Sequence, residues 1–252
     1  MVAGRNHRIL TVVGVVLVAA GIVVGASGLR AVGDDASVAS DYREAADALA
    51  PSSAAQSAAA DPWADLLATN PDVIAWLRVG GTTIDLPVTM GTSADPDWYL
   101  SHDLWGRRSD TGNPYVDFRC EPSDTVVTVY GHRTNERSYM FHDLAGCFDQ
   151  DEFDGLGTLT WETRDGETLA FEPLCSARLD ASDQTWQRFG LMGTGELGAW
   201  LRGGCSKSVA KAVDWENECD HARRAIVLVT CSGRWLFGAR SRTVTVFVQG
   251  VQ

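Results

Sequence analysis

The sequence predicts a mostly β domain that follows a single hydrophobic N-terminal segment. Three observations support this: an uncharged apolar run near the N-terminus, many short strand-like segments separated by turn residues, and no regular alternation of strands with long helices. The 252-residue chain therefore has to be divided before its domains are counted.

The apolar run covers residues 9–29 and contains no charged side chain. At about 1.5 Å per helical residue, a run of this length can cross a hydrocarbon layer of roughly 30 Å. A cleaved signal peptide is the competing interpretation, although such peptides usually have only about 7–15 apolar residues. Because Arg5 and Arg8 precede the run, we expect residues 1–8 in the cytoplasm, a single transmembrane helix, and the remaining chain outside the cell membrane.

Residues 30–60 form a segment dominated by Ala, Ser and Asp. Few of its side chains are large and apolar, which is typical of a solvated stalk. Order is expected to begin at Asp61-Pro62, where an aspartate can cap a helix and a proline can occupy its first position. The folded domain is thus predicted to span residues 61–252, enough for one substantial core.

Eight segments of this domain have the β-branched and aromatic composition of strands. An all-β domain with this number of strands can be a closed barrel or a sandwich. Helices are expected at 138–144 and 150–153, and at 195–201 and 207–215 within an insertion that precedes the seventh predicted strand. The predicted strands are 75–79, 83–88, 114–118, 125–130, 158–162, 168–179, 225–230 and 243–248.

The formal charge of −12 and the pI near 4.7 argue against nucleic-acid binding, which needs a basic face. An acidic surface that keeps the chain soluble is the simplest interpretation. None of the six cysteines has the C-x-x-C spacing of a zinc ribbon. A zinc site built from Cys120, His132 and Cys147 is the alternative, but their spacing fits no compact metal loop.

Cys231 ends the apolar segment 225–231, AIVLVTC, and polar turn residues follow it directly. A buried strand that stops at a thiol places the thiol on a rigid support, which suits a nucleophile. The alternative is a structural cysteine, because most cysteines are buried and act as small apolar residues.

Two further residues strengthen the case for Cys231. His132 follows the strand-like segment 125–130 after a glycine that lets the backbone turn. Arg242 opens the last predicted strand, eleven residues after Cys231, so a returning strand can bring the two side by side. A guanidinium group near a thiol can lower its pKa or bind an oxyanion. The competing candidates are Arg234 and Arg240 for the arginine, and His102, His142 and His221 for the histidine.

These elements resemble the sortases in residue order and position. That family has a Tyr-Gly-His-like histidine, a Thr-Leu-x-Thr-Cys nucleophile and an arginine on the following strand. The counterparts here are YGH at 130–132, VLVTC at 227–231 and Arg242. Class B is the type it resembles most, through NPDVIAWL at 70–77, IDLPV at 84–88 and the segments 98–100, 112–117 and 140–144.

The resemblance implies a closed eight-stranded sortase-type barrel with short helices and a helix-bearing loop before the cysteine strand. It implies a cysteine transpeptidase of the cell membrane, facing outward in a Gram-positive type envelope. Its substrates would be exported proteins with an LPxTG-like C-terminal sorting signal, joined through a thioester to a peptidoglycan amine or, alternatively, a pilin lysine. His132, Cys231 and Arg242 would be catalytic, with no metal or organic cofactor.

Two positions depart from the family pattern. Val227 replaces the first motif threonine, and Val229 stands where class B enzymes often have a serine near the substrate. The recognised signal is therefore expected to differ. A cysteine hydrolase on the same barrel and a non-catalytic exported binding barrel are the two other interpretations.

Overall fold

The computed structural model describes residues 62–134, 139–180, 182–190, 193–231 and 241–250, together with residues 37, 40–42 and 44. The predicted membrane helix at 9–29 lies outside this described part, so it stays a prediction. Within the described part, no helix is both long and apolar enough to cross a membrane.

The secondary structure is dominated by strands, as the sequence predicts. Four α-helices are described: α1 (Pro62–Thr69), α2 (Gln150–Phe153), α3 (Thr194–Cys205) and α4 (Trp215–His221). Two 3-10 helices lie at Trp98–Leu100 and His142–Gly146. The strands are β1 (Val73–Val79), β2 (Asp85–Met90), β3 (Tyr115–Val116), β4 (Val126–Tyr130), β5 (Leu159–Thr163), β6 (Thr168–Asp180), β7 (Ala210–Lys211), β8 (Arg224–Cys231) and β9 (Ser241–Gln249).

The strands close into a barrel. Their order is β5-β1-β2-β3-β4-β8-β9-β6-β7, and an additional pairing of β5 with β6 joins the two sides of the sheet. Eight strands therefore form the closed circuit, while the two-residue β7 adds to β6 outside it. Of these pairings, β2 with β3 and β4 with β8 are parallel. The expected closed eight-stranded barrel is confirmed, and the sandwich alternative is wrong.

The core divides into two clusters because successive side chains of a strand point to opposite faces. On β8, Ile226 and Leu228 belong to the first cluster, which also contains Trp76. Val227 belongs to the second cluster, where it is buried together with Leu197 of α3. The helix-bearing insertion thus covers one face of β8 and β9.

The insertion differs in one detail from the sequence prediction. A helix was expected over 207–215 from the spacing of its apolar residues, but α4 begins only at Trp215. Val209 and Val213, which contribute to that spacing, are exposed. A helix over these residues would therefore have no buried apolar face to stabilise it. Between them, β7 pairs with β6 instead.

The helix predicted at 138–144 is replaced, among the described residues, by the 3-10 helix His142–Gly146.

Tyr42 lies within the predicted stalk, 30–60, yet it is packed into the domain. Its side chain is 1 % exposed and contacts the rings of Trp105 and Tyr139. Its hydroxyl donates a hydrogen bond to Asn113 Oδ1. Burial raises the pKa of Tyr42 well above its ordinary value. The packing of the domain therefore includes at least this residue N-terminal to position 61.

Candidate active site

Three strand ends meet at one edge of the barrel. Strands β4 and β8 are parallel neighbours, with Tyr130 opposite Val229, so both end at this edge. Strand β9 runs back along β8 and places Arg242 directly opposite Cys231. Opposite Cα atoms in an antiparallel pair are about 4.5–5.5 Å apart. The expected pairing of the two strand positions is therefore present in the backbone.

His132 lies just beyond the end of β4. The N–H of Gly131 donates to the carbonyl of Val229 at 3.1 Å, which extends the contact with β8 past the last ladder pair. Continuing the parallel register by two residues from Tyr130 and Val229 brings His132 level with Cys231. The structure thus brings all three predicted site positions to one edge.

Steric crowding explains why the Tyr-Gly-His segment has a glycine at position 131. A Cβ atom at Gly131 would lie 2.6 Å from the ring of Phe141, closer than carbon atoms can approach without displacement. The Phe141 ring is fully buried, so it has little room to move. The close approach of this ring holds the backbone that carries His132 against β8.

One nitrogen of His132 is already engaged. Its Nε2 lies 2.8 Å from the carbonyl oxygen of Leu100, in the 3-10 helix Trp98–Leu100. A carbonyl oxygen only accepts hydrogen bonds, so Nε2 must be the donor. This fixes the ring orientation and leaves Nδ1 as the nitrogen that can exchange a proton with another group.

A cavity of about 510 Å³ opens at this edge. Its lining is mainly polar and aromatic, with contributions from the ends of β4, β8 and β9. Val229, one of the two positions that depart from the family pattern, is part of its wall. The lining residues include Asp97, Leu100, Tyr115, Asp117, Phe118, Arg119, Tyr130, His132, Gln187, Val229, Thr230 and Arg242.

An ion pair forms one wall of the cavity. Arg119 donates from two nitrogens to the two carboxylate oxygens of Asp117, at 2.8 and 2.6 Å, and Tyr130 donates to the same carboxylate at 3.2 Å. Burial alone raises the pKa of Asp117, but the hydrogen bonds and charge of Arg119 outweigh it and hold this pKa below its ordinary value. Burial, followed by the nearby Asp117 charge, raises the pKa of Tyr130 to about 12.

The two arginines of the cavity differ in their partners. The charge of Arg119 is compensated by Asp117, and its guanidinium also lies 4.0 Å from the ring centroid of Phe189. No ion pair within the described ranges involves Arg242, which is partly exposed and also lines the cavity. Arg242 is therefore the arginine of this cavity that makes no ion pair with a described carboxylate. Its rivals Arg234 and Arg240 lie outside the described residues.

Comparison with known proteins agrees with this geometry. No family model matches the chain. The curated sortase B of Listeria monocytogenes is 32 % identical over 105 residues, which are 41 % of this chain and 42 % of that protein. The alignment thus spans less than half the length of this curated relative.

Solved structures extend the similarity to most of the domain. A mutant form of Clostridium perfringens sortase B is 26 % identical, with a TM-score of 0.64 over 74 % of this chain and 85 % of that one. This chain is a homologue of sortase B. The sortase B of Bacillus anthracis, at 20 % identity, shares the fold with a TM-score of 0.67 over 84 % of this chain and 96 % of that one.

The predicted resemblance to the sortases, and to class B above all, is therefore confirmed, and the chain is homologous to a cysteine transpeptidase. Its helix-bearing insertion before the cysteine strand is present as α3 and α4. The roles of His132, Cys231 and Arg242 stay predictions, since the comparisons assign no role to individual residues.

The competing histidines of this sortase homologue are held elsewhere. His102 stacks on Trp98 with ring centroids 3.5 Å apart, and His142 Nδ1 contacts the carbonyl of Thr134 at 2.7 Å. His221 Nδ1 contacts the carbonyl of Asn217 at 2.9 Å. None of the three lines the cavity of His132. Across the described segments, no group of three or more His, Cys, Asp or Glu residues is arranged to hold a metal ion.

Sequence reasoning missed several residues of the cavity. The carbonyl of Leu100 carries no side-chain signal, and it lies 32 positions from His132. Arg119 could have been suggested by the short spacing to Asp117, because an Asp-x-Arg pair can close a local ion pair. Gln187 had no signal, since it belongs to the insertion and reaches the cavity only through tertiary packing.

Proposed function

We propose that this chain is a membrane-tethered, extracytoplasmic sortase of the class B type. In this proposal it cleaves an LPxTG-like C-terminal sorting signal of exported proteins and transfers the new carboxyl end to an amine. The observation that carries the proposal is the meeting of the β4, β8 and β9 ends at one cavity, with His132 level with Cys231 and Arg242 opposite it.

The first half-reaction forms a thioester. The thiolate of Cys231 attacks the scissile carbonyl, and the C–N bond breaks as the carbonyl reforms. His132 gives its Nδ1 proton to the departing amine, while Nε2 keeps its hydrogen bond to Leu100. Because the covalent intermediate splits one amide exchange into two steps, each step has a lower activation barrier than direct exchange.

The second half-reaction reverses these roles. An incoming amine attacks the thioester carbonyl and loses a proton to Nδ1 of His132, and the Cys231 thiolate departs. In both steps a negative oxygen develops on the carbonyl. Arg242 suits its stabilisation, because Arg119 is already compensated by Asp117 and no described carboxylate pairs with Arg242.

The proposed location rests on the sequence, and the proposed acceptor rests on the similarity to sortase B. The apolar run 9–29 anchors the chain with residues 1–8 in the cytoplasm, and the barrel lies outside the membrane. A peptidoglycan amine is the acceptor we propose, giving cell-wall anchoring in a Gram-positive type envelope. A pilin lysine is the alternative acceptor of the same chemistry.

The test is product analysis of sorting-signal peptides with the full chain, with and without an added amine such as triglycine. We expect cleavage at the signal and a joined product that appears only with the amine, and neither with Cys231→Ala. Cleavage without any joining would instead establish a hydrolase. No cleavage of any signal in a broad peptide panel would favour the non-catalytic binding barrel and overturn the proposal.

A further inference from the structure

Three cysteines meet beneath the helix-bearing insertion, away from the cavity edge. Cys175 lies in β6 and Cys205 is the last residue of α3, and their sulfur atoms are 2.8 Å apart. Cys219 of α4 lies in the same core cluster as both. All three are fully buried in the second core cluster. The proposed reaction uses none of them.

A buried cysteine is most often only a small apolar residue. This cluster differs because two of its sulfur atoms already approach within about 1 Å of the disulfide bond length of ~2.05 Å. They also join elements distant in sequence, since Cys175 and Cys205 are 30 residues apart. A covalent bond between them would close the insertion onto the barrel wall with little backbone movement.

We propose that Cys175 and Cys205 form a disulfide in the exported protein, which fastens α3 to β6, while Cys219 remains a thiol. In its formation the two thiols lose two protons and two electrons, and one S–S bond forms. The electrons reduce the disulfide of an exported thiol–disulfide oxidoreductase to two thiols. The inference uses the export proposed above only as the source of this oxidant.

The environment of the three thiols indicates at which stage of folding the Cys175–Cys205 disulfide forms. The contact with Cys175 raises the pKa of Cys205, and the neighbouring Cys205 thiol raises the pKa of Cys219, with burial adding to both. Because all three thiols are fully buried, an oxidant cannot reach them in the folded reduced protein, which should therefore oxidise slowly. The disulfide is therefore expected to form before α3 docks, and burial then protects it from reductants.

The bond would also support the cavity wall. Just before Cys205, the backbone at Gly204 lies so close to Trp186 that an added Cβ would meet its ring at 2.2 Å. Trp186 also packs edge-on against Trp200 of α3. The next residue, Gln187, lines the cavity. Loss of the bond should therefore weaken substrate binding more than it slows the chemical step.

The direct test is a tryptic map of the full chain, alkylated in denaturant without reduction after secretion by a Gram-positive host. Cleavage after Lys and Arg places each of the six cysteines in its own peptide. We expect peptide 165–178 joined to 203–207, and peptide 212–223 alkylated at Cys219. Finding Cys175 and Cys205 both alkylated, or Cys205 joined to Cys219, overturns the inference whether or not the chain is active.

A second measurement uses substitution. Cys175→Ser should lower the melting temperature of the secreted protein by about 5–10 °C and raise KM with little change in kcat. Cys120→Ser, which alters a buried thiol outside the cluster, is the matched control. After reduction in denaturant and refolding under reductant, the wild type should lose the same stability. Equal melting of the oxidised and reduced wild type would contradict the proposal.

Discussion

Two cavities flank the segment that follows β4, and each contains a histidine. The first is the candidate active site, lined by His132. The second, of about 490 Å³, is lined by the next residue, Arg133, together with His142 and Cys147. The adjacent residues His132 and Arg133 therefore line different cavities. The second cavity also contains a cysteine close to a histidine.

The cysteine of the second cavity is unsuited to nucleophilic attack. Its thiol donates to the carbonyl of Asp143 at 3.3 Å and is 1 % exposed. Burial, followed by the charges of Glu152 and Asp143, raises the pKa of Cys147 to about 12. A thiol that stays protonated at neutral pH is a poor nucleophile. The first cavity instead has Arg242, opposite Cys231, which forms no ion pair with any carboxylate of the described residues.

The comparison teaches that residue types alone do not define the site. Both cavities combine a histidine, a nearby cysteine position and an arginine. They differ in their charged side chains, because two arginines and two aspartates line the first cavity whereas one arginine and three carboxylates line the second. The strand ends also meet only at the first. The proposed activity is therefore expected to respond to substitutions in the first cavity and to tolerate the equivalent changes in the second.

The largest difference is expected between the two histidines. His132→Gln should lower kcat of transfer by about 10²–10⁴-fold, because the proton donor and acceptor of both half-reactions is lost. His142→Gln should leave kcat within about threefold. Steady-state transfer of a sorting-signal peptide to an amine measures both. If the two variants lose activity equally, the distinction between the cavities is wrong.

A smaller effect is expected at the arginine. Arg242→Ala should lower kcat by about 10²–10³-fold, the usual cost of removing an oxyanion contact, and Arg242→Lys should recover only part of it because the guanidinium fork is lost. Arg178→Ala is the matched control, since Arg178 lies on the neighbouring β6 and contacts Ser241 rather than the cavity. An Arg242→Ala enzyme with wild-type kcat would remove this residue from the mechanism.

The smallest effect concerns the wall of the first cavity. Asp117→Asn should reduce the free energy of unfolding by about 1 kcal/mol at pH 7, a modest value because Arg119 is partly exposed. Since the folded-state pKa of Asp117 lies below its ordinary 3.8, this contribution is present above that pH and is lost as pH falls through the lowered value. Denaturant unfolding from pH 7 to pH 2.5 measures it. The exposed Asp110→Asn serves as the control, and a constant gap between wild type and Asp117→Asn over this range would contradict the assignment.

Local patterns predicted the strands well but not how they close. Each of the eight predicted strands is present with small shifts at its ends, because β-branched runs between turn residues mark a strand locally. The choice between barrel and sandwich depends on the pairing of β5 with β6, a tertiary contact. The helix at 207–215 failed because Val209 and Val213 are exposed, and no local signal reports burial.

The candidate site likewise combines residues that the sequence predicted with contacts that it could not predict. His132, Cys231 and Arg242 were suggested by strand ends and motif order, and the backbone register agrees with their meeting. The Leu100 carbonyl and the contact between Cys175 and Cys205 were not predictable, since each depends on segments far apart in sequence. The family resemblance predicts the order of the site residues along the chain, whereas these supporting contacts form only when the chain folds.

The most direct test of the central claim is to trap the acyl-enzyme. The full chain is mixed with a sorting-signal peptide without an amine, quenched in acid, digested with trypsin and mapped by mass spectrometry. Our account predicts the acyl fragment on peptide 225–234, which contains Cys231, and its loss when hydroxylamine or an amine is added. An acyl fragment on peptide 138–164, which contains Cys147, or peptide transfer that persists in Cys231→Ala, would contradict it.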